Sequence, residues 1–405
     1  MMHKFLYPIL IVALLSFAGC KAAGTVSDGG TALEGIQVIL TGELSQSTTT
    51  DSEGAYTFQY LKPGNYTVTP SLAGYTFNPA SYSISITIGN LNGFTSLDFT
   101  VASVVEPPET SPEEMGPYHV GYYDTTYTIE PYGTYKAVIR YPAFSDGLLT
   151  RKDARGAPYP GIGVCNGILG QESQISWIAE HLASHGYVTI CITPPKIASS
   201  DITQWATGFS AGISRLKNET LMSNSPVNGL VDTERFGSIG LSMGGGGSIE
   251  AAGAEGSEID AAVALAPAGY SSAVETDTMA AARNIRIPTQ IQVGSNDGMV
   301  PPAHARPYYE AIIPDDTIKE YVEIYGGNHI GFLNETYAEI AKMLGLDNPM
   351  GIAFAEQRRL SGKYFTAWFQ YYLKGLTGYY TYIFGPDAQN DFDMGMLSDW
   401  MYNVP

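Results

Sequence analysis

The chain is poor in cysteine and in positive charge, and each shortage excludes a class of site. It has only 3 cysteines, and no C-x-x-C or H-E-x-x-H spacing occurs, so the sequence predicts no metal site and no other cofactor. Lys and Arg number 21 against 40 Asp and Glu, which gives a formal net charge of −19. A nucleic-acid-binding surface needs clustered Lys and Arg. We therefore expect no nucleic-acid partner, and we interpret the acidity as a contribution to solubility.

Two of the cysteines, Cys165 and Cys191, lie in apolar, strand-like runs. Neighbouring parallel strands offer poor geometry for a disulfide bond. We predict that both thiols are reduced and behave as small hydrophobic side chains.

The N-terminus lacks an apolar run long enough to cross a membrane as a helix. A short basic start, residues 1–4, is followed by an apolar stretch from Phe5 to Phe17 and then by Ala18-Gly19-Cys20. This order is typical of a signal peptide, which we place at residues 1–19. Small residues before a cysteine resemble the bacterial lipoprotein cleavage box. We predict lipidation of Cys20 and membrane attachment through that anchor, in an exported outer-membrane or cell-surface lipoprotein; secretion after cleavage nearby is the alternative.

Residues 20–103 are rich in Thr, Ser, Tyr, Val and Gly, and short apolar runs alternate there with turn signals. In the run from Tyr82 to Ile88, apolar side chains occupy every second position and so share one face of a strand. Turn signals such as Asp51–Gly54 and Lys62–Asn65 separate runs of this kind. Short strands with regular turns predict a small all-β sandwich domain.

The stretch from Asp51 to Val68 resembles the carboxypeptidase-regulatory-like, or transthyretin-like, domains of exported bacterial proteins. The resemblance covers the whole segment up to about residue 102. It implies a spacer or adhesion module without chemistry of its own, and binding of a polymer is the alternative.

Pro, Glu and Ser dominate residues 104–114, which we predict to be a linker. Over residues 115–405, apolar strand-like runs alternate with helical patterns. This alternation predicts an α/β domain with a doubly wound, mostly parallel sheet. Active sites of such sheets lie beyond the carboxyl ends of the strands. We expect this part to be the catalytic domain and the whole chain to be a monomer.

The run from Gly240 to Gly244 reads G-L-S-M-G and lies between a short apolar run and a helical pattern rich in small residues. A serine on a sharp turn from strand to helix projects its hydroxyl toward a base. The same G-x-S-x-G pattern occurs from Gly208 to Gly212, but there it lies inside an amphipathic helical pattern without a preceding strand. We therefore predict Ser242, and not Ser210, as the nucleophile.

A serine hydroxyl needs a base, and the base needs an acid that orients it. In α/β-hydrolase sheets both follow the nucleophile along the chain. His329 follows an apolar strand in a glycine-rich loop, whereas His304 lies at the start of a helical pattern, so we predict His329 as the base. Asp297 directly follows another apolar strand and is the predicted acid. The alternative acids, Asp315 and Asp316, come between a helical pattern and the next strand. They are therefore expected at the edge of the sheet opposite to the carboxyl ends of the strands.

An oxyanion hole requires two backbone N–H groups aimed at the developing negative charge. One comes from the residue after the nucleophile, here Met243. The other comes from the loop after the strand that ends at Cys165, and we nominate Ile168. We predict substrate contacts from six further residues around these positions, namely Leu169, Leu241, Ala268, Tyr270, Met299 and Ile330.

Several motifs follow one another in a distinctive order, and they are Met115–Val120, Trp177–Tyr187, Val231–Phe236, Gly240–Gly247, Asp297 with Ala303–Tyr309, and Gly326–His329. In combination they resemble the cutinase-type bacterial polyester hydrolases of the α/β-hydrolase superfamily, which are dienelactone-hydrolase-like. The resemblance covers about residues 115–385. It implies Ser242, Asp297 and His329 as the catalytic triad.

Departures from the family pattern bear on the substrate. The aromatic residue of the family's oxyanion loop aligns with Ile168, and its tryptophan after an Ala-Pro pair aligns with Ala268. The residue before the nucleophile, usually His or Trp, is Leu241 here. This chain also lacks the cysteines that form the family's C-terminal disulfide. The aromatic clamp that would stack an aromatic diacid is missing or is rebuilt by Tyr270. An insertion of roughly residues 333–354 is expected to form a lid.

The sequence thus favours a serine carboxylic ester hydrolase that acts through an acyl-enzyme, with polyesters or cutin-like esters as candidate substrates. An acyl hydrolase of small soluble esters, of the dienelactone or platelet-activating-factor acetylhydrolase type, is the first alternative. A surface adhesion protein with a catalytically inert hydrolase fold is the second.

Overall fold

The computed structural model describes residues 20–87, 93–269, 278–313 and 317–404, and every structural statement below concerns these residues. The chain divides into two compact units between Glu106 and Pro107. Each unit has a hydrophobic core of its own, and the two are described separately. Among the described helices, none combines the length and the apolar character that crossing a membrane requires.

The first unit is all β, as the sequence predicts. Its strands are β1 (Cys20–Asp28), β2 (Thr31–Ala32), β3 (Gln37–Gly42), β4 (Gln46–Thr49), β5 (Ala55–Leu61), β6 (Gly64–Ser71), β7 (Tyr75–Asn78), β8 (Tyr82–Ile86) and β9 (Phe99–Val104). One sheet has the order β2-β1-β9-β7, with β5 also paired to β1, and the other has the order β4-β3-β6-β8. β1 and β9 run parallel, whereas the other described pairs of this unit are antiparallel.

Alternating side chains build the core of the first unit. In β8, Ile84 and Ile86 are buried while Ser83 and Ser85 are exposed, which confirms the period of two predicted for this run. The strand ends at Ile86, and Ile88 lies outside the described residues.

The second unit is an α/β domain. Its strands are β10 (His119–Ile129), β11 (Gly133–Ala143), β12 (Gly147–Leu148), β13 (Tyr159–Cys165), β14 (Val188–Thr193), β15 (Val231–Leu241), β16 (Ala261–Leu265), β17 (Thr289–Gly294), β18 (Lys319–Ile324) and β19 (Leu397–Asn403). Its α-helices are α1 (Ser176–Ser184), α2 (Thr203–Leu221), α3 (Met243–Ala252), α4 (Thr278–Asn284), α5 (Pro302–Ala311), α6 (Glu335–Met343), α7 (Phe354–Tyr372), α8 (Tyr380–Ile383) and α9 (Pro386–Asp393). Short 3-10 helices occur at Glu172–Gln174, Ile330–Phe332 and Thr377–Tyr379.

The sheet of the second unit is mostly parallel, as predicted. Its order is β12-β10-β11-β14-β13-β15-β16-β17-β18-β19. The strands from β14 to β18 in this order run parallel to one another. β11 and β19 join the two sides of this parallel core in antiparallel orientation.

Helices cover both faces of this sheet. On β15, a side chain at Gly237 would meet Phe369 of α7, whereas the hydroxyl of the next residue, Ser238, lies 2.7 Å from that of Ser248 on α3. Because successive residues of a strand face opposite sides of the sheet, α7 and α3 lie on opposite faces. α1 packs with α7, and α2 and α4 pack with α3. The doubly wound arrangement is therefore confirmed.

Cys165 and Cys191 lie on the neighbouring strands β13 and β14. Both are buried and free, which confirms the prediction of reduced thiols. Burial raises the pKa of both thiols, that of Cys191 to about 12, so they remain protonated core side chains.

The loops that carry the predicted catalytic residues leave the sheet at one edge. Ser242 follows β15, Asp297 follows β17 and His329 follows β18. The loop of residues 166–170 follows β13. Because these strands run parallel, their carboxyl ends meet at the same edge, and the loops come together there.

Residues 107–114, part of the segment that we predict as a linker, pack within the second unit. The Nε2 atoms of His181 and His185, near the end of α1, lie 3.0 and 2.8 Å from the carbonyl oxygens of Pro112 and Glu114. A composition rich in Pro and Glu does not reveal such contacts, because they depend on donors that lie far away in the sequence. The domain boundaries at residues 103 and 115 stay a prediction.

Candidate active site

Ser242 lies on the sharp turn between β15 and α3. Its φ of 58° and ψ of −118° are values that residues other than glycine rarely adopt, so the turn is strained. Backbone hydrogen bonds hold it in place: the N–H of Ser242 donates to the carbonyl of Leu265 over 2.9 Å, and its carbonyl accepts from the N–H of Ala268 over 2.9 Å. The sheet therefore fixes the serine at its carboxyl edge.

The glycines on either side of Ser242 permit a close approach of backbone segments. A Cβ on Gly240 would lie 2.2 Å from the carbonyl oxygen of Gly244, and a Cβ on Gly244 would lie 2.3 Å from the carbonyl oxygen of Cys165. Both distances are far below van der Waals contact, so any larger residue would force the turn open. The G-x-S-x-G pattern thus has a steric cause in this fold.

The second G-x-S-x-G pattern has different surroundings. Ser210 is exposed in the middle of α2, and its hydroxyl donates back to the carbonyl of Ala206 over 3.5 Å. The pattern from Gly208 to Gly212 lies inside α2, which begins at Thr203, so the serine is preceded by helix and not by a strand. The helix predicted around Ser210 is confirmed.

The imidazole of His329 and the carboxylate of Asp297 are in direct contact. Nδ1 of His329 lies 2.8 Å from Oδ2 of Asp297, and both side chains are buried. Oδ1 of Asp297 accepts the backbone N–H groups of Met299 and Val300 over 2.9 and 2.6 Å, which fixes the carboxylate. An ionised carboxylate only accepts hydrogen bonds, so Nδ1 carries the proton and Nε2 is the basic nitrogen.

The pKa of the His329 imidazole is raised above its ordinary value. Burial alone would lower this pKa, because it disfavours the charged ring. The charge and hydrogen bond of Asp297 outweigh that effect, and the charge of Asp347 adds to the rise. The raised pKa makes the imidazole a stronger proton acceptor.

Ser242 and His329 line one cavity of about 390 Å³. Ala268 and Ser242 line a smaller neighbouring cavity of about 180 Å³. Tyr270 lies outside the described residues. The predicted substrate contacts that line the larger cavity are Leu169, Leu241, Met299 and Ile330.

His304, the alternative base, lies in the first turn of α5, as predicted. It lines the smaller cavity together with Ser242, whereas His329 lines the larger one. The rival acids, Asp315 and Asp316, lie outside the described residues.

The two predicted oxyanion donors, Ile168 and Met243, line the smaller cavity beside Ser242. Met243 is the first residue of α3, where a backbone N–H has no partner within the helix. In the described part of the chain, no hydrogen bond uses the N–H of Ile168 or of Met243. The next N–H of the loop, that of Leu169, is already bound to the carbonyl of Ile197 over 2.6 Å. Neither N–H group is thus engaged elsewhere in the described part of the chain, and their role as oxyanion donors stays a prediction.

One wall of the larger cavity was not assigned from the sequence. It comes from the predicted lid segment, residues 333–354, which contains α6. The side chains of this wall are Leu333, Tyr337, Ile340, Ala341, Leu344 and Leu346. Positions 337, 340, 341 and 344 have the i, i+3, i+4, i+7 spacing of an amphipathic helix, and that spacing is the signal that could have revealed the wall.

A strained serine after a central strand, a buried imidazole–carboxylate pair and a doubly wound sheet together have the form of a serine α/β-hydrolase. The sequence model of the PET hydrolase-like family matches residues 116–403, and the chain belongs to this family. The model of the carboxypeptidase regulatory-like domain matches residues 22–102. Both family resemblances predicted from the sequence are confirmed.

Three characterised relatives illustrate the family. Cutinase 1 of Thermobifida cellulosilytica is 29% identical over 172 residues, which cover 42% of this chain and 60% of the relative. A cutinase of Thermobifida fusca (strain YX) is 29% identical over 172 residues, which cover 42% of this chain and 52% of the relative. The bis(hydroxyethyl) terephthalate hydrolase of Streptomyces coelicolor is 29% identical over 240 residues, 58% of this chain and 68% of the relative. The chain thus matches 60% or less of the length of either cutinase.

Proposed function

We propose that the second unit is a carboxylic ester hydrolase in which Ser242 is the nucleophile, His329 the base and Asp297 the acid that orients the base. The observation that carries the proposal is the 2.8 Å contact of Asp297 with His329, beside a cavity that His329 shares with the strained Ser242. Membership of the PET hydrolase-like family and the cutinase relatives support the same chemistry.

The proposed reaction has two displacements. Nε2 of His329 accepts the proton of the Ser242 hydroxyl while Oγ attacks the carbonyl carbon of the ester. The N–H groups of Ile168 and Met243 donate to the carbonyl oxygen as it becomes negative. The bond to the alcohol oxygen then breaks, His329 returns the proton to the departing alcohol, and an acyl-enzyme remains. Water attacks this ester and gives a proton to His329. The bond to Oγ then breaks, His329 returns the proton to Oγ, and the acid is released with Ser242 and His329 restored.

We propose that the substrate is an apolar ester presented at the surface of a polymer, such as a cutin-like polyester. Several exposed aliphatic or thioether side chains line the larger cavity, namely Ile168 (41%), Leu169 (64%), Met299 (48%), Ile340 (50%), Leu344 (67%) and Leu346 (55%). An exposed apolar rim around a site favours an apolar surface as its partner.

We further propose a preference for aliphatic over aromatic acids. At two positions where the family carries aromatic rings, this chain has Ile168 and Ala268, and both line the cavity beside Ser242. Aliphatic side chains contact a methylene chain well but cannot stack on an aromatic diacid.

Hydrolysis of small soluble esters is the second candidate, and α6 is the observation that favours it. Side chains of α6 line the same cavity as Ser242, and a wall of this kind would restrict a long polymer more than a small ester. Rates on short p-nitrophenyl esters, compared with the release of acid from an aliphatic polyester film, distinguish the two candidates. Activity confined to the soluble esters would exclude the polymer.

An irreversible serine probe tests whether the fold is an active enzyme or an inert adhesion module. We expect a fluorophosphonate to label the wild type and Ser210→Ala but not Ser242→Ala. Loss of Ser242 should also lower kcat on the order of 10⁶-fold. Labelling that persists in Ser242→Ala would assign the nucleophile elsewhere, and absence of labelling in the wild type would support the inert module.

We also propose export of the chain and lipidation at Cys20. Cys20 is the first residue of β1 and its side chain is buried, so an acylated sulfur requires this residue to leave the strand. The pairing of β1 with β5 is irregular between Cys20 and Ala22, so the register from Ala22 onward does not depend on Cys20. We expect a clickable fatty acid to label the wild type in a bacterial host and not Cys20→Ser. An unmodified N-terminus in the secreted fraction would favour plain secretion.

A further inference from the structure

Asp347, which lies just beyond α6, bridges two loops of the active site. Its Oδ1 accepts the backbone N–H of Gly298 over 2.8 Å, and its Oδ2 accepts the backbone N–H of His329 over 2.6 Å. Oδ2 also accepts the N–H of Ile330 at 3.3 Å. One carboxylate thus receives hydrogen bonds from both loops.

These loops carry the proposed acid and the proposed base. Gly298 is the residue after Asp297, and His329 supplies its own backbone N–H. The Asp347 carboxylate therefore links the backbone next to Asp297 to the backbone of His329. Displacement of either loop would stretch a charge-assisted hydrogen bond, which is stronger than a neutral one.

The residues after Asp347 reinforce the bridge. The side chain of Asn328 donates to the carbonyl of Asn348 over 2.7 Å, and that of Asn296 donates to the carbonyl of Pro349 over 3.2 Å. The N–H of Gly351 donates to the carbonyl of Gly326 over 2.7 Å. We name residues 347–351 the bridging segment. It contacts the loops after β17 and β18 at several points, and α6 and α7 hold its two ends.

We propose that Asp347 is a positioning residue, which keeps the His329 imidazole within hydrogen-bond distance of the Asp297 carboxylate. This inference rests on the proposed function, because it assigns Asp347 a part in the same ester hydrolysis. Asp347 touches neither the cavity beside Ser242 nor the reacting atoms, so it acts through the backbone of the acid and base loops. Because Asp347 lies within the predicted lid segment, shortly after α6 ends at Met343, the same carboxylate links this segment to the Asp297 and His329 loops.

The negative charge of Asp347 also favours the catalytic arrangement, because it raises the pKa of the His329 imidazole. Asp297 faces the imidazole from the loop after β17, and Asp347 faces it from the bridging segment. From α7, the neutral amide of Gln357 binds the backbone of Asn328 beside it. The wall of α6 presents uncharged side chains to the shared cavity. Both carboxylates therefore favour the imidazolium that forms when the serine is deprotonated.

The test compares Asp347→Asn, which keeps the shape, with Asp347→Ala and with the control Glu339→Gln, an exposed carboxylate of α6 that does not line the cavity beside Ser242. The full-length protein is assayed with p-nitrophenyl butyrate from pH 5 to pH 9. In parallel, NMR follows the Nδ1–H resonance of His329, which reports the Asp297 hydrogen bond without turnover. We expect kcat to fall about 10- to 100-fold in both Asp347 variants with KM changed less than about threefold. The acid limb of kcat/KM and the His329 titration should both move to lower pH.

A change of stability alone does not move a pH limb or an imidazole resonance, so these readouts separate positioning from a structural role. If Asp347→Ala fails to fold, Asp347→Asn decides. Asp347→Asn with the kcat, acid limb and His329 resonance of Glu339→Gln would overturn the proposal. A wild type that neither hydrolyses esters nor reacts with a fluorophosphonate, while its His329 resonance still depends on Asp347, would reject the proposed function and leave the positional role supported.

Discussion

At the scale of single residues, hydrogen bonds hold Ser242 in a strained backbone conformation and fix the carboxylate of Asp297. Ser242 adopts an unfavourable backbone conformation that costs of order 1–3 kcal/mol. Its hydrogen bonds to β16 and to the loop beyond it keep the serine there. Asp297 is restrained in the same way by two backbone N–H groups, which donate to its Oδ1.

Asp297→Asn tests the role of the acid. An amide at this position cannot hold the Nδ1–H tautomer of His329 in the same way, and we expect kcat to fall about 10³- to 10⁴-fold. Because Asp297 raises the pKa of His329, its removal lowers that pKa. The neutral imidazole is the active form, so the acid limb of kcat/KM should move to lower pH. Stopped assays with p-nitrophenyl butyrate over a pH series measure both effects.

The matched control is Asp393→Asn, since Asp393 is an exposed aspartate on α9. It should leave rate and pH profile unchanged. An Asp297→Asn enzyme with wild-type kcat would remove Asp297 from the mechanism.

The order of residues along the chain could predict Ser242, Asp297 and His329, because each follows an apolar run that is recognisable as a strand. It could not predict Asp347. Its contacts are made to backbone N–H groups, which carry no side-chain signature in the sequence. The segment that carries it is also an insertion, for which strand order provides no register.

At the scale of elements, α6 contributes to one wall of the larger cavity. Ile340 and Leu344 lie on the cavity side of this helix and are 50% and 67% exposed, whereas Met343 is 85% exposed and does not line the cavity. The cavity side can therefore be altered with little cost to the core. That separation makes α6 a practical target for changing acyl preference.

The double variant Ile340→Ala with Leu344→Ala should lose preference for longer acyl chains. Each buried methylene contributes about 0.8 kcal/mol to binding, and about 1.4 kcal/mol corresponds to tenfold in rate or affinity. We expect kcat/KM for p-nitrophenyl octanoate to fall about tenfold and that for the acetate to change less than about twofold. Met343→Ala is the control and should match the wild type. An equal loss on both esters would show that α6 does not contact the acyl chain.

The end of α1 gives a pH-dependent contribution to stability. Burial lowers the pKa of His181 to about 4, and burial together with the neighbouring His181 lowers that of His185 to about 3. In the unfolded chain both have a pKa near 6.5. Between these values the unfolded chain binds more protons than the folded chain, so the free energy of unfolding falls as the pH falls. The contribution is complete above about pH 6.5 and is lost toward about pH 4.

Urea unfolding from pH 4.5 to pH 7.5 measures this effect. Each imidazole adds a slope of up to about 1.4 kcal/mol per pH unit over that range. His181→Gln and His185→Gln should each make the dependence shallower, whereas the exposed His119→Gln should not. A slope that is the same in all three variants would rule out this origin.

Periodicity could predict most central elements, because buried strands and amphipathic helices follow regular apolar patterns. The long helix α7, Phe354–Tyr372, and the strand β18, Lys319–Ile324, are two of the elements that form this alternation of helical patterns and apolar runs. β19 was not predicted. It is an edge strand, and most of its side chains are partly exposed on both faces, so its pattern does not alternate clearly.

At the scale of the whole molecule, the chain folds into two units, each with a hydrophobic core of its own. The change in composition near residue 104 could predict this division, because a β-sandwich and an α/β domain differ in residue content over many positions. The packing of residues 107–114 on the second unit could not be predicted, because it depends on the imidazoles of His181 and His185. A truncated enzyme should therefore begin at Pro107 and keep these contacts.

A chain of residues 107–405 tests whether the β-sandwich is a spacer or a polymer-binding module. All the residues of the proposed mechanism belong to the second unit, so kcat/KM for p-nitrophenyl butyrate should stay within about twofold of the full chain. If the first unit is a spacer, release of acid from a polyester film per mole of enzyme should also be unchanged, and we expect this result. A polymer-binding module would raise the local concentration of enzyme at the film, so its removal would reduce film hydrolysis at low enzyme concentration and have less effect when the film is saturated. Film hydrolysis that falls tenfold while the soluble rate holds would therefore replace the spacer with a binding role.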